Sequence, residues 1–66
     1  MKKMTIGKNI KKYREKCGMT QVDVCMKTGI SPAVVSLFET DTRKPSIEKA
    51  KQLAALFGVT LNDLVE

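Results

Sequence analysis

The sequence predicts an all-α domain built from five short helices. Turn-forming residues divide the 66 residues into five segments, and each segment carries apolar residues at helical spacing. No run alternates apolar and polar residues as a half-buried strand does, and no Asn-Gly pair marks a hairpin. Hydrophobic residues make up 42% of the chain, which is enough for one small core and too many for a disordered segment. We therefore expect a single domain over residues 1–66.

The first helix is expected to begin after Thr5, whose hydroxyl can cap it, and to stop at Gly18. Its apolar face recurs at spacings of four, three and four residues, at Ile6, Ile10, Tyr13 and Cys17. The second helix is expected from Thr20 to about Thr28, ended by the left-handed residue Gly29. Its inward-facing residues are Val24 and Cys25, and Asp23 in its first turn suits the helix dipole.

Ser31 and Pro32 form a cap followed by a first-position proline, which predicts the start of a third helix. This helix is expected to reach Glu39 or Thr40, with Val34, Val35, Phe38 and part of Leu37 facing inward. A polar loop over 40–45 follows. Ser46 then caps a fourth helix that stops at Gly58, with one apolar face formed by Ile47, Ala50, Leu53, Ala54 and Phe57. Thr60 begins a final turn or two that contains Leu61, Leu64 and Val65.

Composition excludes several classes of protein. Two cysteines are too few for a disulfide framework, the N-terminus has no apolar signal segment, and no run approaches the ~18 apolar residues of a membrane span. A cytoplasmic protein with reduced thiols is therefore expected, and Cys17 and Cys25 are interpreted as compact apolar residues of the core. There is no histidine, no nucleophile beside a base and no phosphate-binding glycine loop, so we expect neither an enzyme nor a metal, cofactor or small-molecule site.

The charge of the chain favours a polyanionic partner on one side. The net charge is +5, seven of the twelve basic residues precede Gly18, and the charged residues after Gly58 are all acidic. A solvated charged surface would show the same bias, so charge alone does not decide.

The segment over 20–40 has the outline of a helix-turn-helix, since two short helices flank a turn that contains glycine. Cys25 is small where the helices must cross, and Gly29 allows the turn. The residues expected to lock the two helices together are Val24, Ile30, Val35 and Phe38. A plain helical bundle is the alternative interpretation.

Several motifs resemble the phage repressor and Cro type of helix-turn-helix domain, also called the xenobiotic-response-element type. The matching residues are Thr20-Gln21, Val24-Cys25, Gly29-Ile30-Ser31, Val35-Ser36, Phe38-Glu39, Pro45-Ser46 and the run from Leu53 to Val59. The resemblance covers about 6–65 and implies a compact, five-helix, lambda-repressor-like fold. It also implies DNA binding, with the third helix as the recognition helix.

The resemblance implies roles for individual residues. Arg14 and Glu39 would pair beside the DNA backbone, and Gln21 would contact a phosphate. The outward face of the recognition helix would be Ser31, Pro32, Ala33, Ser36, Leu37 and Thr40. This face has no Arg, Asn or Gln to bridge a base, so methyl contacts, DNA shape and water would share in specificity.

The loop after the recognition helix would follow the sugar-phosphate backbone, with Thr42, Arg43 and Lys44 in contact. Asp41 departs from the glycine of many similar domains, which puts the loop geometry in doubt and places a negative charge near phosphate. Lys2 and Lys3 could form a basic arm or remain solvated.

We expect a sequence-specific transcriptional regulator that binds double-stranded DNA at a palindromic, inverted-repeat operator as a homodimer. Residues 57–66 are the candidate dimerisation segment, although Leu61 and Val65 could equally close the core. The alternative is a protein-interaction module, such as an antitoxin or adaptor, that keeps the fold without binding an operator.

Overall fold

The computed structural model describes residues 4–65, which form five α-helices and no strand. The helices are α1 (Ile6–Lys16), α2 (Gln21–Thr28), α3 (Pro32–Glu39), α4 (Ile47–Phe57) and α5 (Leu61–Val65). The predicted all-α, five-helix fold class is confirmed. Within the described residues no helix has the length and apolar character needed to cross a membrane. The predicted Lys2–Lys3 arm lies outside the described residues.

Hydroxyl side chains at the predicted positions start the helices. The side-chain oxygens of Thr5, Thr20, Ser31 and Ser46 each accept a hydrogen bond from the backbone N–H three residues later. At α2 the Asp23 carboxylate also accepts from the Thr20 N–H at 2.8 Å, so this shorter acid completes a capping box. Residues Thr60 and Asp63 make the same reciprocal pair of bonds at α5.

The core lies where all five helices meet. Its fully buried large side chains are Phe38, Ile10, Leu53, Leu64, Val24 and Val35. Ile30, from the turn between α2 and α3, is also buried at 4% exposure. The four residues predicted to lock α2 against α3 therefore all lie in this core.

Helix α1 packs closely on both α3 and α5. A Cβ atom at Gly7 would lie 2.1 Å from the Phe38 carbonyl oxygen, so only glycine lets the first turn of α1 approach the end of α3 this closely. The buried Asn9 side chain donates a hydrogen bond of 2.8 Å to the Leu64 carbonyl oxygen, which ties α1 to α5. These two contacts fix the start of α1 against the rest of the domain.

Some residues predicted to face inward are exposed or only half-buried, and the structure also answers the open question of Leu61 and Val65. Cys17 is exposed because it lies one residue beyond α1, and Cys25 is only half-buried. Ile47 is 69% exposed: it shares the apolar face of α4, but it is the first residue of the helix and projects past the edge of the core. Val65 is 53% exposed at the end of α5, whereas Leu61 is half-buried. Helical spacing predicts a face, but it does not predict how far along the helix the core extends.

Candidate nucleic-acid interface

Helices α2 and α3 and the turn between them occupy the segment predicted as a helix-turn-helix. Gly29 ends α2 with a φ of 78°, a left-handed conformation that a residue with a Cβ adopts at a cost. The Thr28 hydroxyl donates to the Val24 carbonyl oxygen at 2.7 Å and accepts from the Ile30 N–H at 3.2 Å. These bonds satisfy polar groups at the turn and hold the two helices in one geometry.

One side of α3 is available to a partner. Of the residues predicted for its outward face, Ser31, Ala33 and Thr40 are exposed, and Pro32, Ser36 and Leu37 are half-buried. The Thr40 hydroxyl is already engaged, since it donates toward the Ser36 and Leu37 carbonyl oxygens and lies 2.8 Å from the Thr42 hydroxyl. The freely available surface is therefore concentrated in the first turn of α3 and consists of small side chains.

The carboxylate of Glu39, the last residue of α3, is almost completely buried and has three donors. Arg14 donates from Nε to Oε2 at 2.6 Å and from Nη2 to Oε1 at 3.2 Å, and Gln21 donates from Nε2 to Oε1 at 3.1 Å. The side chains of Arg14 and Glu39 are only 12% and 4% exposed. We call these three residues the Glu39 network. It joins α1, α2 and α3 through one carboxylate.

The pair of Arg14 and Glu39 that the resemblance implied is present as the only ion pair within residues 4–65. The hydrogen bonding of the Arg14 guanidinium to the Glu39 carboxylate is the main reason that the pKa of Arg14 is raised above its ordinary value. Arg14 also donates from Nη1 to the Met19 carbonyl oxygen at 2.8 Å, just before the start of α2. The guanidinium is therefore a fixed, internally bonded cation.

The contact between Gln21 and Glu39 was not foreseen. Gln21 was expected to contact phosphate, whereas one of its side-chain N–H groups points to Glu39. Its other N–H, its carbonyl oxygen and the backbone N–H groups at the start of α2 are not used by this bond. No sequence signal links two residues that lie 18 positions apart.

The loop over 40–44 folds back on the end of α3. The Thr42 and Arg43 N–H groups both donate to the Leu37 carbonyl oxygen, at 3.0 and 3.2 Å, and the Asp41 N–H donates to the Phe38 carbonyl oxygen. Thr42, Arg43 and Lys44 are exposed. No ion pair within residues 4–65 includes Arg43 or Lys44, so both cations are available to a partner.

The structure shows which backbone conformation Asp41 adopts and where its negative charge lies. Its φ of 61° is the left-handed conformation that glycine would adopt, and aspartate tolerates it better than most residues do. Its carboxylate is turned toward the start of α1, where Oδ2 accepts from the Thr5 hydroxyl at 2.6 Å and Oδ1 accepts from the Gly7 N–H at 3.1 Å. The loop therefore keeps a regular geometry, and the negative charge is engaged by α1.

Sequence reasoning missed one cation of this surface. A groove between the starts of α3 and α4 is lined by Ser31, Ser46, Arg43, Lys44 and Lys49. Lys49 belongs to the first turn of α4, and a sequence-based signal did exist, because Lys49 follows the capping residue Ser46 by three positions. Within the described residues no cluster of three or more His, Cys, Asp or Glu side chains is arranged to hold a metal ion.

Comparison with known proteins decides the family. The model of the helix-turn-helix family matches residues 10–64, which is most of the chain. The chain belongs to the helix-turn-helix family. The predicted resemblance to the repressor and Cro type is confirmed.

The chain is similar to a named transcriptional regulator and to two solved structures. It is 32% identical over 62 residues to the HTH-type transcriptional regulator ImmR of Bacillus subtilis, but the match covers 94% of this chain and only 49% of ImmR. The chain thus spans about half the length of that relative. SinR, a master regulator for biofilm formation solved in complex with DNA, superposes with a TM-score of 0.87 at 27% identity, covering 94% of this chain and 100% of that chain.

The P22 c2 repressor, solved in complex with a synthetic operator, superposes with a TM-score of 0.90 over 97% of both chains. At 20% identity this similarity shows the shared fold.

Proposed function

We propose that this chain is a sequence-specific DNA-binding transcriptional regulator of the repressor type. The observation that carries the proposal is that the exposed side of the first turn of α3 lies beside cations that form no ion pair within residues 4–65, while the other end of α3 is fixed by the Glu39 network. Family membership and the DNA complexes of SinR and the P22 c2 repressor support this assignment. We further propose that the protein acts in the cytoplasm.

The proposed base-contacting surface is the first turns of α3, inserted in the major groove. Ser31 and Ser36 can hydrogen-bond to base edges or phosphates, and Ala33 and Leu37 can touch thymine methyl groups. Pro32 adds apolar contact at the helix start. Because bidentate donors are absent from this face, the sequence preference would draw on DNA shape and on bridging water as well.

The proposed phosphate contacts surround that surface. Arg43 and Lys44 in the loop are exposed and form no ion pair within residues 4–65, and Lys49 extends the same groove. Gln21 contributes its remaining N–H at the start of α2, where the helix dipole favours an anion. Thr40 and Thr42, whose hydroxyl groups bond to each other, support the loop on the phosphate side.

Arg14 has a different proposed role. Its guanidinium is bonded to Glu39 and to the Met19 carbonyl oxygen, and its side chain is mostly buried. It would act mainly by ordering the end of the recognition helix, with its charge felt by a nearby phosphate at longer range.

We propose that the regulator binds an inverted repeat as a homodimer. One copy of this small surface makes few base contacts, and two copies about one helical turn apart, roughly 34 Å, would double them. The candidate dimerisation segment remains 57–66, where the side chain of Val65 is 53% exposed.

A selection experiment tests DNA recognition and the dimer together. A library of random duplexes about 30 bp long, which can hold two half-sites, is enriched on the full chain and sequenced. The proposal expects one enriched motif with two-fold symmetry and a complex of two chains per duplex. No enrichment over the starting library would contradict sequence-specific binding and would favour the protein-interaction module.

A salt titration tests the phosphate contacts. Arg43→Ala should weaken binding to the selected duplex and to a scrambled duplex alike, and it should flatten the plot of log affinity against log salt by about 0.9. Lys51→Ala removes another exposed cation, one that does not line the groove, and it should leave the slope closer to wild type. A change of base preference in Arg43→Ala would show that this residue contacts bases.

A further inference from the structure

We infer that Asp41 is a positioning residue for DNA binding, which tethers the phosphate-binding loop to the start of α1. The inference rests on the proposed function for its consequence, but the tether itself is a feature of the structure. Asp41 lies two and three residues before Arg43 and Lys44, the proposed phosphate contacts. Its side chain reaches back across 34 and 36 positions of sequence to Gly7 and Thr5.

The tether has two bonds and a close approach that supports them. Asp41 Oδ2 accepts from the Thr5 hydroxyl at 2.6 Å, and Oδ1 accepts from the Gly7 N–H at 3.1 Å. The absence of a side chain at Gly7 is necessary, because a Cβ there would lie 2.5 Å from Asp41 Oδ1 and 2.1 Å from the Phe38 carbonyl oxygen. The first turn of α1 is therefore seated directly against the junction of α3 and the loop.

The backbone of the loop depends on the same residue. Asp41 adopts a φ of 61°, and this left-handed step allows the next two N–H groups, of Thr42 and Arg43, to turn back onto the Leu37 carbonyl oxygen. A loop ordered before DNA arrives does not lose that conformational entropy on binding. The carboxylate thus pre-organises the loop, and its bonds to α1 engage a charge that would otherwise weaken phosphate binding.

Two substitutions separate the tether from the charge. Asp41→Asn and Asp41→Gly both remove one negative charge and both tolerate the left-handed φ. Asparagine can still accept from the Gly7 N–H and can donate to the Thr5 hydroxyl oxygen, whereas glycine can do neither. We expect Asp41→Gly to bind the selected duplex and a scrambled duplex about tenfold more weakly than Asp41→Asn, the scale of one lost hydrogen bond.

The matched control is the same pair of replacements at Gln52, an exposed residue of α4 that lies outside the loop, the recognition helix and the candidate dimerisation segment. Gln52→Asn and Gln52→Gly should differ in thermal stability but bind DNA alike at a temperature well below both melting points. Equal affinities of Asp41→Asn and Asp41→Gly, or an equally large difference within the Gln52 pair, would overturn the inference.

A double-mutant cycle identifies what the tether positions. In an Arg43→Ala background the difference between Asp41→Gly and Asp41→Asn should shrink to less than about threefold, because coupled residues are not additive. Full additivity would show that Asp41 does not act through Arg43 and would overturn the positioning role.

Backbone ¹⁵N order parameters test the tether without DNA. At Thr42 and Arg43 we expect values of about 0.85 in the wild type and in Asp41→Asn, and a clear fall in Asp41→Gly. Unchanged values in Asp41→Gly would overturn the inference even if every variant binds DNA. If the wild type binds no DNA, the proposed function fails, and this measurement still decides whether Asp41 orders the loop.

Discussion

The two ends of α3 are built in different ways. At its start, the hydrogen bond of the Ser31 cap to the Val34 N–H is local, and Ser31 and Ala33 are exposed. At its end, Glu39 is 8% exposed and accepts three hydrogen bonds from α1 and α2. The first end presents small side chains to solvent, and the second is bonded into the domain.

This difference separates the proposed tasks of base recognition and placement. Small side chains such as serine and alanine lose little rotamer entropy when a partner covers them, but they offer few hydrogen bonds of their own. Their position relative to DNA must therefore be set elsewhere. The Glu39 network and the Asp41 tether supply that placement at the far end of the same helix, next to the loop cations Arg43 and Lys44.

The largest expected effect comes from breaking the Glu39 network at the end of α3. Glu39→Ala leaves the mostly buried Arg14 guanidinium and the Gln21 amide without their acceptor, which should lower the free energy of unfolding by about 3 kcal/mol. Urea denaturation measures the loss. Glu48→Ala, an exposed acid in the first turn of α4, is the control and should cost about 0.5 kcal/mol. Equal losses in the two variants would show that the network contributes no more than a surface charge does.

The next largest effect is expected from disturbing the packing of α1 against the end of α3. Gly7→Ala places a methyl group against the Phe38 carbonyl oxygen, so either the backbone of α1 or the end of α3 must shift, at a cost of about 2 kcal/mol. Gly18→Ala is the control: its φ is 70°, but no atom lies within 4 Å of the added carbon. It should cost about 1 kcal/mol, from backbone strain alone. Thermal melting of both variants checks the order, and a more stable Gly7→Ala would contradict the close packing.

The contrast between local bonds at the start of α3 and long-range bonds at its end also explains what could be predicted from the sequence. Caps and helix ends depend on residues three or four positions apart, so Ser31, Ser46 and Gly29 were placed correctly from the chain alone. The bonds from Gln21 to Glu39 and from Gly7 to Asp41 span 18 and 34 positions, and only the packed fold brings those groups together. The pair of Arg14 and Glu39 was anticipated through the family resemblance, not through local chemistry.

The sequence also could not predict how far the core extends along each helix. Ile47 has the right spacing for the buried face of α4, yet it is exposed because the core ends before the first turn of that helix. Cys17 follows the apolar spacing of α1 but lies just past its last residue. Periodicity describes the angle around a helix axis, whereas burial also depends on where neighbouring helices stop.

A smaller effect, confined to DNA binding, is expected at the exposed start of α3. Ala33→Phe should weaken binding to the selected duplex by about tenfold, the scale of one poorly matched base contact, with little change in melting temperature. Ala55→Phe places the same side chain at an exposed alanine of α4 and should leave binding unchanged. A fall in the melting temperature of Ala33→Phe, with no effect specific to DNA, would mean that this end of α3 is packed and not free.

The smallest expected effect is a loss of stability at acid pH. It should not involve the start of α3. The hydrogen bonds from Thr20 and Thr60 hold the pKa of Asp23 and Asp63, respectively, below the ordinary value of 3.8. A lowered pKa means that the folded state favours the charged form, so this stabilisation is complete above the ordinary value and is lost as the pH falls through the lowered one. The hydroxyl cap of Ser31 does not titrate in this range.

Urea midpoints measured between about pH 7 and pH 2 should therefore fall less steeply in the double variant Asp23→Asn with Asp63→Asn than in the wild type. Ser31→Ala should shift the midpoint equally at every pH, since its lost hydrogen bond carries no proton equilibrium. Parallel profiles for the wild type and the double variant would show that these two carboxylates do not contribute to acid sensitivity. A pH-dependent shift in Ser31→Ala would mean that the start of α3 is coupled to a titrating group, and that its two ends are less separate than the structure indicates.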